Sequence, residues 1–300
     1  MIHLWVRAEP RDNEQRVGIT PDGVAALIRA GFRITVEDDP NRAIPIAGYV
    51  AAGADIAAPA AWRTAPPDAI IFGLKELPDD GHPLPHRHIM FGHAYKGQPA
   101  GQRLLKQFKA GGGILLDIEY LTTPTGQRVA AFGYWAGYAG AAVALLCWAA
   151  QLRGQRPAPV TAYDSAMTLR ADLQTQLAGL NTRPTALIIG AQGRVGGGVA
   201  DFCTHLGVPT TQWDLAETAH GGPYPEILAH DIFFNCIVAR PGTPVFIPPA
   251  TKIAPRSLSI IADIACDPDS DFSPIQVYSQ ATTWDAPARR VHDQPALDVT

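Results

Sequence analysis

Cysteine is scarce in this chain: four residues in 300, too few for a disulfide framework. Cys147, Cys203, Cys236 and Cys266 share no metal-ligand spacing and lie in apolar stretches, so inert core thiols and no bound metal are expected. Charge is also sparse, at 17% of residues with a formal net charge of −4. With no basic block, nucleic acid is not an expected partner. The most apolar run, residues 136–152, is closed by Trp148, Gln151 and Arg153 and reads as a buried helix, so no membrane partner is expected. The opening Met1-Ile-His-Leu-Trp-Val6 is interrupted by Arg7 and Glu9 too soon for a secretory signal, which leaves a cytoplasmic location as the expectation. No internal repeat is visible.

What is present is a chain with 47% hydrophobic residues, enough for folded cores, and of a length that suggests two domains. Its most informative stretch is Thr185-Ala-Leu-Ile-Ile-Gly-Ala-Gln-Gly-Arg-Val-Gly196. An apolar strand runs into Gly190, Gly193 and Gly196, and Val199, Phe202, Cys203 and Leu206 come next at helical spacing. Strand, glycine turn and helix in that order make a phosphate cradle: the glycines let backbone approach a pyrophosphate, and the new helix aims free N–H groups at it. Gly190, Gly193, Arg194, Val195 and Gly196 are therefore candidate cofactor-binding residues. The spacing is G-x-x-G-x-x-G rather than G-x-G-x-x-G, so the glycines alone are weak. A second strand ending at Trp213-Asp214, 18 residues past Gly196, supplies the carboxylate expected at an adenosine ribose. Asp214 favours NAD over NADP, because a carboxylate accepts from a 2′-hydroxyl and repels a 2′-phosphate, and residues 215–225 hold no Arg or Lys to reverse this.

Along the rest of the chain, strands are expected at 3–6, 33–37, 69–73, 89–91 and 114–117. Helices are expected from Thr20, which can cap one ahead of Pro21, and over 102–110. A long helix over 137–151, a Pro-rich connection over 153–161 and a helix over 166–180 precede the glycine turn. Later strands are expected at 232–236, 258–262 and 275–278. Alternation of this kind implies an α/β fold of two Rossmann-like, doubly wound parallel-sheet domains with an interdomain cleft. The boundaries expected are 1–132 for a substrate-binding and catalytic domain, 133–285 for an NAD-binding domain, and 286–300 for a segment returning toward the first domain.

Polar residues cluster just past the first-domain strands: Lys75-Glu76, His93-Ala-Tyr-Lys96, and Asp117 with Glu119. Carboxyl ends of parallel strands line the binding crevice, so Lys75, Glu76, His93, Lys96 and Glu119 are expected near one another. The set suits proton transfer beside a nitrogen. A partly desolvated Lys among cations can serve as a base, a His as acid and base in turn, and Glu76 and Glu119 can retune both. Arg16 and Arg128 are candidates for carboxylate recognition through the guanidinium fork. Taken singly, each has a bland alternative: a solvated loop lysine, a satisfied histidine, or an arginine paired with a surface acid.

With these residues in place, the chain resembles the NAD-dependent, L-lysine-forming saccharopine dehydrogenases, relatives of alanine dehydrogenase and the transhydrogenase domain. The resemblance rests on Leu4-Trp-Val-Arg-Ala-Glu9, Arg16-Val-Gly-Ile-Thr-Pro21, Gly73-Leu-Lys-Glu-Leu-Pro78, Phe91-Gly-His-Ala-Tyr-Lys96, Arg128-Val-Ala-Ala-Phe-Gly133, Asn235-Cys-Ile237 and Ala262-Asp-Ile-Ala-Cys-Asp267. It implies reversible oxidative deamination of saccharopine to L-lysine and 2-oxoglutarate through an imine. Lys75 would be the base for the secondary amine and His93 the acid–base group of imine hydration. Arg16 and Arg128 would hold carboxylates, Glu76 and Glu119 would tune the pair, and Lys96 and Asp263 would flank His93. Expected partners are small molecules (saccharopine, lysine, 2-oxoglutarate), in a monomer or homodimer. The alternatives are a related dehydrogenase with another amino/keto acid pair and an inactive NAD-binding homologue. The family continues past the point matching Asp298-Val-Thr300.

Overall fold

The computed structural model describes residues 1–300 except Asp12, Asn13, Glu76, Lys96, Gly97, Gln98 and Asp267. The chain divides into two compact units, one of Met1–Ala131 with Ala162–Ser165 and the other of Phe132–Thr161 with Ala166–Thr300.

In the first unit the elements run β1 (His3–Val6), α1 (Pro21–Arg29), β2 (Arg33–Glu37), α2 (Ile46–Ala51), β3 (Asp55–Ala57), β4 (Ile70–Phe72), β5 (Arg87–Met90), α3 (Pro99–Gly111) and β6 (Ile114–Asp117). Thr20 caps α1 by accepting from the Gly23 N–H at 3.3 Å, with Pro21 in the first turn and Gly31 at φ +89° beyond the end. The sheet order is β3-β2-β1-β4-β5-β6, with every pair parallel. That is a doubly wound order whose direction reverses between β1 and β4, so the ligand crevice belongs outside the carboxyl ends of those two strands. Val24, Ile34, Val36 and Tyr49 pack on one side and Ile71, Met90, Leu104 and Phe108 on another. The short α2 and β3 have no counterpart in the sequence-based expectations.

In the second unit the order is α4 (Tyr134–Leu152), α5 (Ala166–Leu177), β7 (Ala186–Ile189), α6 (Arg194–His205), β8 (Thr210–Trp213), α7 (Leu215–Thr218), α8 (Pro225–Ala229), β9 (Ile232–Asn235), β10 (Ile260–Asp263), β11 (Arg289–Asp293) and β12 (Ala296–Val299). The sheet order is β11-β12-β10-β9-β7-β8, parallel except for the edge strand β11. Here the winding reverses between β7 and β9. All four residues of β7, β9 and β10 are buried, which is why these strands read as continuous apolar runs: both sheet faces are covered. By length and composition alone α4 would suffice to cross a membrane. In this fold it is a core helix, burying Tyr138, Ala141, Leu145 and Trp148 against α5, α6 and β10. Two glycines permit that crossing, since a Cβ on Gly137 would overlap the Val195 carbonyl and one on Gly198 the Tyr134 carbonyl.

Three expectations need correction. Residues 286–300, expected as a segment returning toward the first domain, belong to the second unit: they form β11 and β12, and β12 pairs with β10 (Ile260 with Asp298, Ile261 with Val299). The physical reason is burial: Leu297 and Val299 are core residues, and the buried Asp298 carboxylate accepts from Arg290 at 2.5 Å and from Gln151 at 2.7 Å. Residues 275–278 form no strand. Ile275 and Val277 are buried, but Ile275 makes one isolated bridge to Ile247, and the ladder position beside β10 is held by β12. Cys266 is exposed rather than a core thiol. Cys147 and Cys203 are buried as expected, and burial pushes each thiol up to about 12.

Candidate functional site

At the carboxyl edge of the first sheet, the structure gathers most of the expected residues on adjacent strands. Lys75 comes after β4, His93 after β5, and Glu119 after β6. Backbone bonds carry this alignment past the strands: the Gly73 N–H donates to Ile89 O at 3.0 Å and the Phe91 N–H to Leu74 O at 3.1 Å. His93 sits in the left-handed region at φ +48°, a conformation that costs a non-glycine residue of order 1 kcal/mol and persists only where its surroundings impose it. Asp117 provides much of that imposition. Its Oδ1 accepts from the Gly92 N–H at 3.1 Å and from the Glu119 N–H at 3.0 Å. One carboxylate thus fixes the loop bearing His93 and the turn bearing Glu119.

Glu119 lies between two partners: Oε2 is 3.4 Å from His93 Nδ1 and Oε1 is 3.4 Å from the Arg128 guanidinium. Arg128 reaches it because residues 121–129 double back, with a bridge between Thr122 and Arg128 and a bond from the Val129 N–H to Leu121 O at 2.8 Å. His93 and Arg128 are therefore linked through one carboxylate, that of Glu119. A carboxylate on Nδ1 orients the ring and leaves Nε2 to exchange protons.

Arg16 pairs bidentately with Glu14 at 2.7 and 2.6 Å. The hydrogen bond from Arg16 to Glu14 raises the Arg16 pKa further. Burial pushes Glu14 upward, but Arg16 and the charge of Lys75 outweigh it and hold Glu14 below its ordinary range. Arg16 and Lys75 thus belong to one electrostatic neighbourhood, shared with Glu9, which also acts on Arg16. Glu76 and Lys96 lie outside the described residues.

The sequence-based reading misses two residues here, Arg7 and Glu9 at the end of β1. Glu9 accepts from the Leu74 N–H at 2.7 Å and the Lys75 N–H at 3.0 Å, while Arg7 donates to the Lys75 carbonyl. A charged pair just after a strand looks like solvated loop; the signal that could have found it is the reversal of winding between β1 and β4.

In the second unit the glycines divide their labour as a nucleotide turn requires. Gly190 turns the chain at φ +86°; a Cβ on Gly196 would overlap the Gly190 carbonyl, so Gly196 allows α6 to pack on the strand end. A Cβ at Gly193, the N-cap of α6, would meet only the Gly190 carbonyl at 3.2 Å, leaving its outer side open to an approaching phosphate. Arg194 and Val195 begin α6, where N–H groups and the helix dipole favour an anion. Asp214 stands at the end of β8, beside the turn. Its Oδ2 accepts from the Gln192 N–H at 3.1 Å, its Oδ1 accepts from the Leu215 N–H at 3.0 Å, and Glu217 completes a capping box. A carboxylate has acceptor capacity beyond those bonds. These residues fit a dinucleotide: a backbone cradle for the diphosphate and an acid one strand over for a ribose.

Asp263, expected beside His93, belongs to the second unit. It is buried at the end of β10, accepting from Asn235 Nδ2 at 2.8 Å and from the Tyr278 hydroxyl at 2.7 Å. Burial, and then that bond, push the Tyr278 phenol well above its usual range. Among the described residues no His, Cys, Asp and Glu group is arranged to hold a metal ion.

Comparison with known proteins first defines a class. The model of the alanine dehydrogenase/PNT N-terminal domain matches residues 5–139. A solved L-alanine dehydrogenase superposes over 99% of this chain and 81% of its own with a TM-score of 0.59 at 18% identity, a likeness of fold. The sequence relatives narrow this. The NAD(+), L-lysine-forming saccharopine dehydrogenase of Schizosaccharomyces pombe is 39% identical, over 99% of this chain and 85% of its own. That of Candida albicans is 40% identical over 97% and 82%. The chain belongs to the family of NAD-dependent, L-lysine-forming saccharopine dehydrogenases.

Proposed function

We propose that the protein is an NAD-dependent oxidoreductase that oxidises the secondary amine of saccharopine and, with water, releases L-lysine and 2-oxoglutarate, reversibly. The single observation that carries this reading is the arrangement at the first sheet's carboxyl edge, where Lys75, His93 and Glu119 follow three adjacent strands and Arg128 folds back onto Glu119, in a chain about 40% identical to enzymes of that name. Bound NAD supplies the hydride acceptor. Lys75 takes the proton from the amine nitrogen as the C–H bond is broken, leaving an imine. His93 takes a proton from the water that adds to the imine carbon. It passes that proton to the nitrogen, giving a carbinolamine, and then carries the hydroxyl proton to the same nitrogen, so that the C–N bond breaks, lysine leaves as the amine and the carbon becomes the keto group. Two proton-transfer groups suit two steps of opposite demand. Glu119 orients the His93 ring and, with Glu76, tunes the pair; Arg16 and Arg128 bind substrate carboxylates, and Lys96 flanks His93. Gly190, Gly193, Arg194, Val195 and Gly196 hold the diphosphate, and Asp214 the adenosine ribose.

The test is NADH oxidation with L-lysine plus 2-oxoglutarate, set against pyruvate plus ammonia. Turnover with the first pair and none with the second is expected. The reverse would reassign the substrate, and NADH binding without turnover on either would remove the enzymatic reading.

A further inference from the structure

We propose that Arg7 and Glu9 form a clamp that positions Lys75 for proton transfer; the inference rests on the reading of Lys75 as the base. Both polar backbone groups of Lys75 are held by side chains arriving from the neighbouring strand. Its N–H donates to Glu9 Oε2 at 3.0 Å, and its carbonyl accepts from the Arg7 guanidinium. Glu9 spends its other oxygen on the Leu74 N–H at 2.7 Å, so one carboxylate grips two successive amides. Arg7 and Glu9 also pair with each other at 3.3 Å, with side chains 1% and 7% exposed. The fit extends to Gly73, where a Cβ would overlap the Arg7 guanidinium. Behind the clamp, Glu37 anchors the residue between the pair: it is fully buried and accepts from the Ala8 N–H at 2.9 Å, while also holding Trp5, Ala60 and Trp62.

This placement is costly by stability alone. Desolvating two charges is repaid only by good geometry and saturated hydrogen bonds, and well-packed apolar residues often do as well. What the charged pair achieves, and apolar residues would not, is to fix the backbone of one lysine at both its N–H and its C=O while leaving the side chain to react. The location agrees, because β1 and β4 flank the reversal of winding, where a doubly wound sheet presents its ligand crevice. Small displacements of a reacting group are expensive in rate, about 100-fold for 1 Å.

The experiment compares Glu9→Gln, Gly73→Ala and Lys75→Met in the full chain. Readouts are melting temperature, NADH affinity, KM and kcat for saccharopine, and the primary isotope effect with saccharopine deuterated at the carbon that gives hydride. Glu9→Gln replaces an acceptor with a donor facing an amide. Gly73→Ala displaces the guanidinium without altering charge. Each is expected to lower kcat about 10- to 100-fold and to raise the isotope effect, with KM and NADH affinity held within about two-fold, a split that a general loosening of the unit would not produce. Should Glu9→Gln fail to fold, Glu9→Asp supplies the measurement, keeping the charge while too short to span both amides. Wild-type kcat in folded clamp variants, alongside an inactive Lys75→Met, would overturn the clamp and leave the base reading intact. Full turnover in Lys75→Met would instead overturn the base reading.

Discussion

His88 is expected to make the first unit acid-labile. It lies on β5, 1% exposed, with Trp62 and Phe108 presenting rings edge-on at 5.3 Å each, and neither of its ring nitrogens has a hydrogen-bond partner among the described residues. Burial, with the charges of Arg7 and His86 adding to it, pushes its pKa from 6.5 down to about 3. In the folded state it is therefore neutral through the whole mildly acidic range. Above pH 6.5 neither folded nor unfolded chain is protonated there, and the stability is fully present. Below that value the unfolded chain binds a proton that the folded chain refuses. Stability then falls by about 1.4 kcal/mol per pH unit until the folded group itself titrates. At pH 5 the loss is about 2 kcal/mol, and at the acid limit about 5 kcal/mol, a large share of a typical domain's stability. His88→Leu keeps the volume near native and removes the titration. The assay is urea unfolding of both proteins at pH 7.5, 6 and 5, read by the hydrogen-exchange protection of β5. The variant should lose about 2 kcal/mol less than wild type between pH 7.5 and 5. Parallel losses in the two proteins would mean that His88 is not the group whose protonation destabilises the unit.

The other predictions concern the site. His93→Gln should slow imine hydration and hydrolysis by about 100-fold or more while leaving NADH affinity near wild type; an unchanged pH–rate profile in that variant would remove His93 from proton transfer. Asp214→Ala should lower the NAD over NADP preference by about 10-fold, in line with the loss of one charge-assisted hydrogen bond, and an unaltered ratio measured by kcat/KM would place the ribose contact elsewhere.

Much of this molecule is legible in its sequence because parallel strands buried on both faces are short apolar runs, and the residues just past each run lie at the sheet's carboxyl edge. That rule locates Lys75, His93, Glu119 and the glycine turn from the sequence alone. It fails where burial is achieved by pairing rather than by apolar side chains. Arg289-Arg-Val-His-Asp293 has no strand pattern, yet it forms an edge strand because Arg290 neutralises the buried Asp298. Arg7 and Glu9 look like a solvated pair until β4 is set beside β1. Residues 275–278 mislead in the opposite way: their alternation is real burial, but with no ladder to join. The left-handed backbone at His93 has no local cue either, since Asp117, which holds the preceding amide, comes from the next strand.

If Lys75 takes the amine proton during hydride transfer, single-turnover formation of NADH from saccharopine by Lys75→Met should fall at least about 100-fold, with NADH affinity in the same variant essentially unchanged. Hydride transfer at the wild-type rate in that variant would rule out Lys75 as the base.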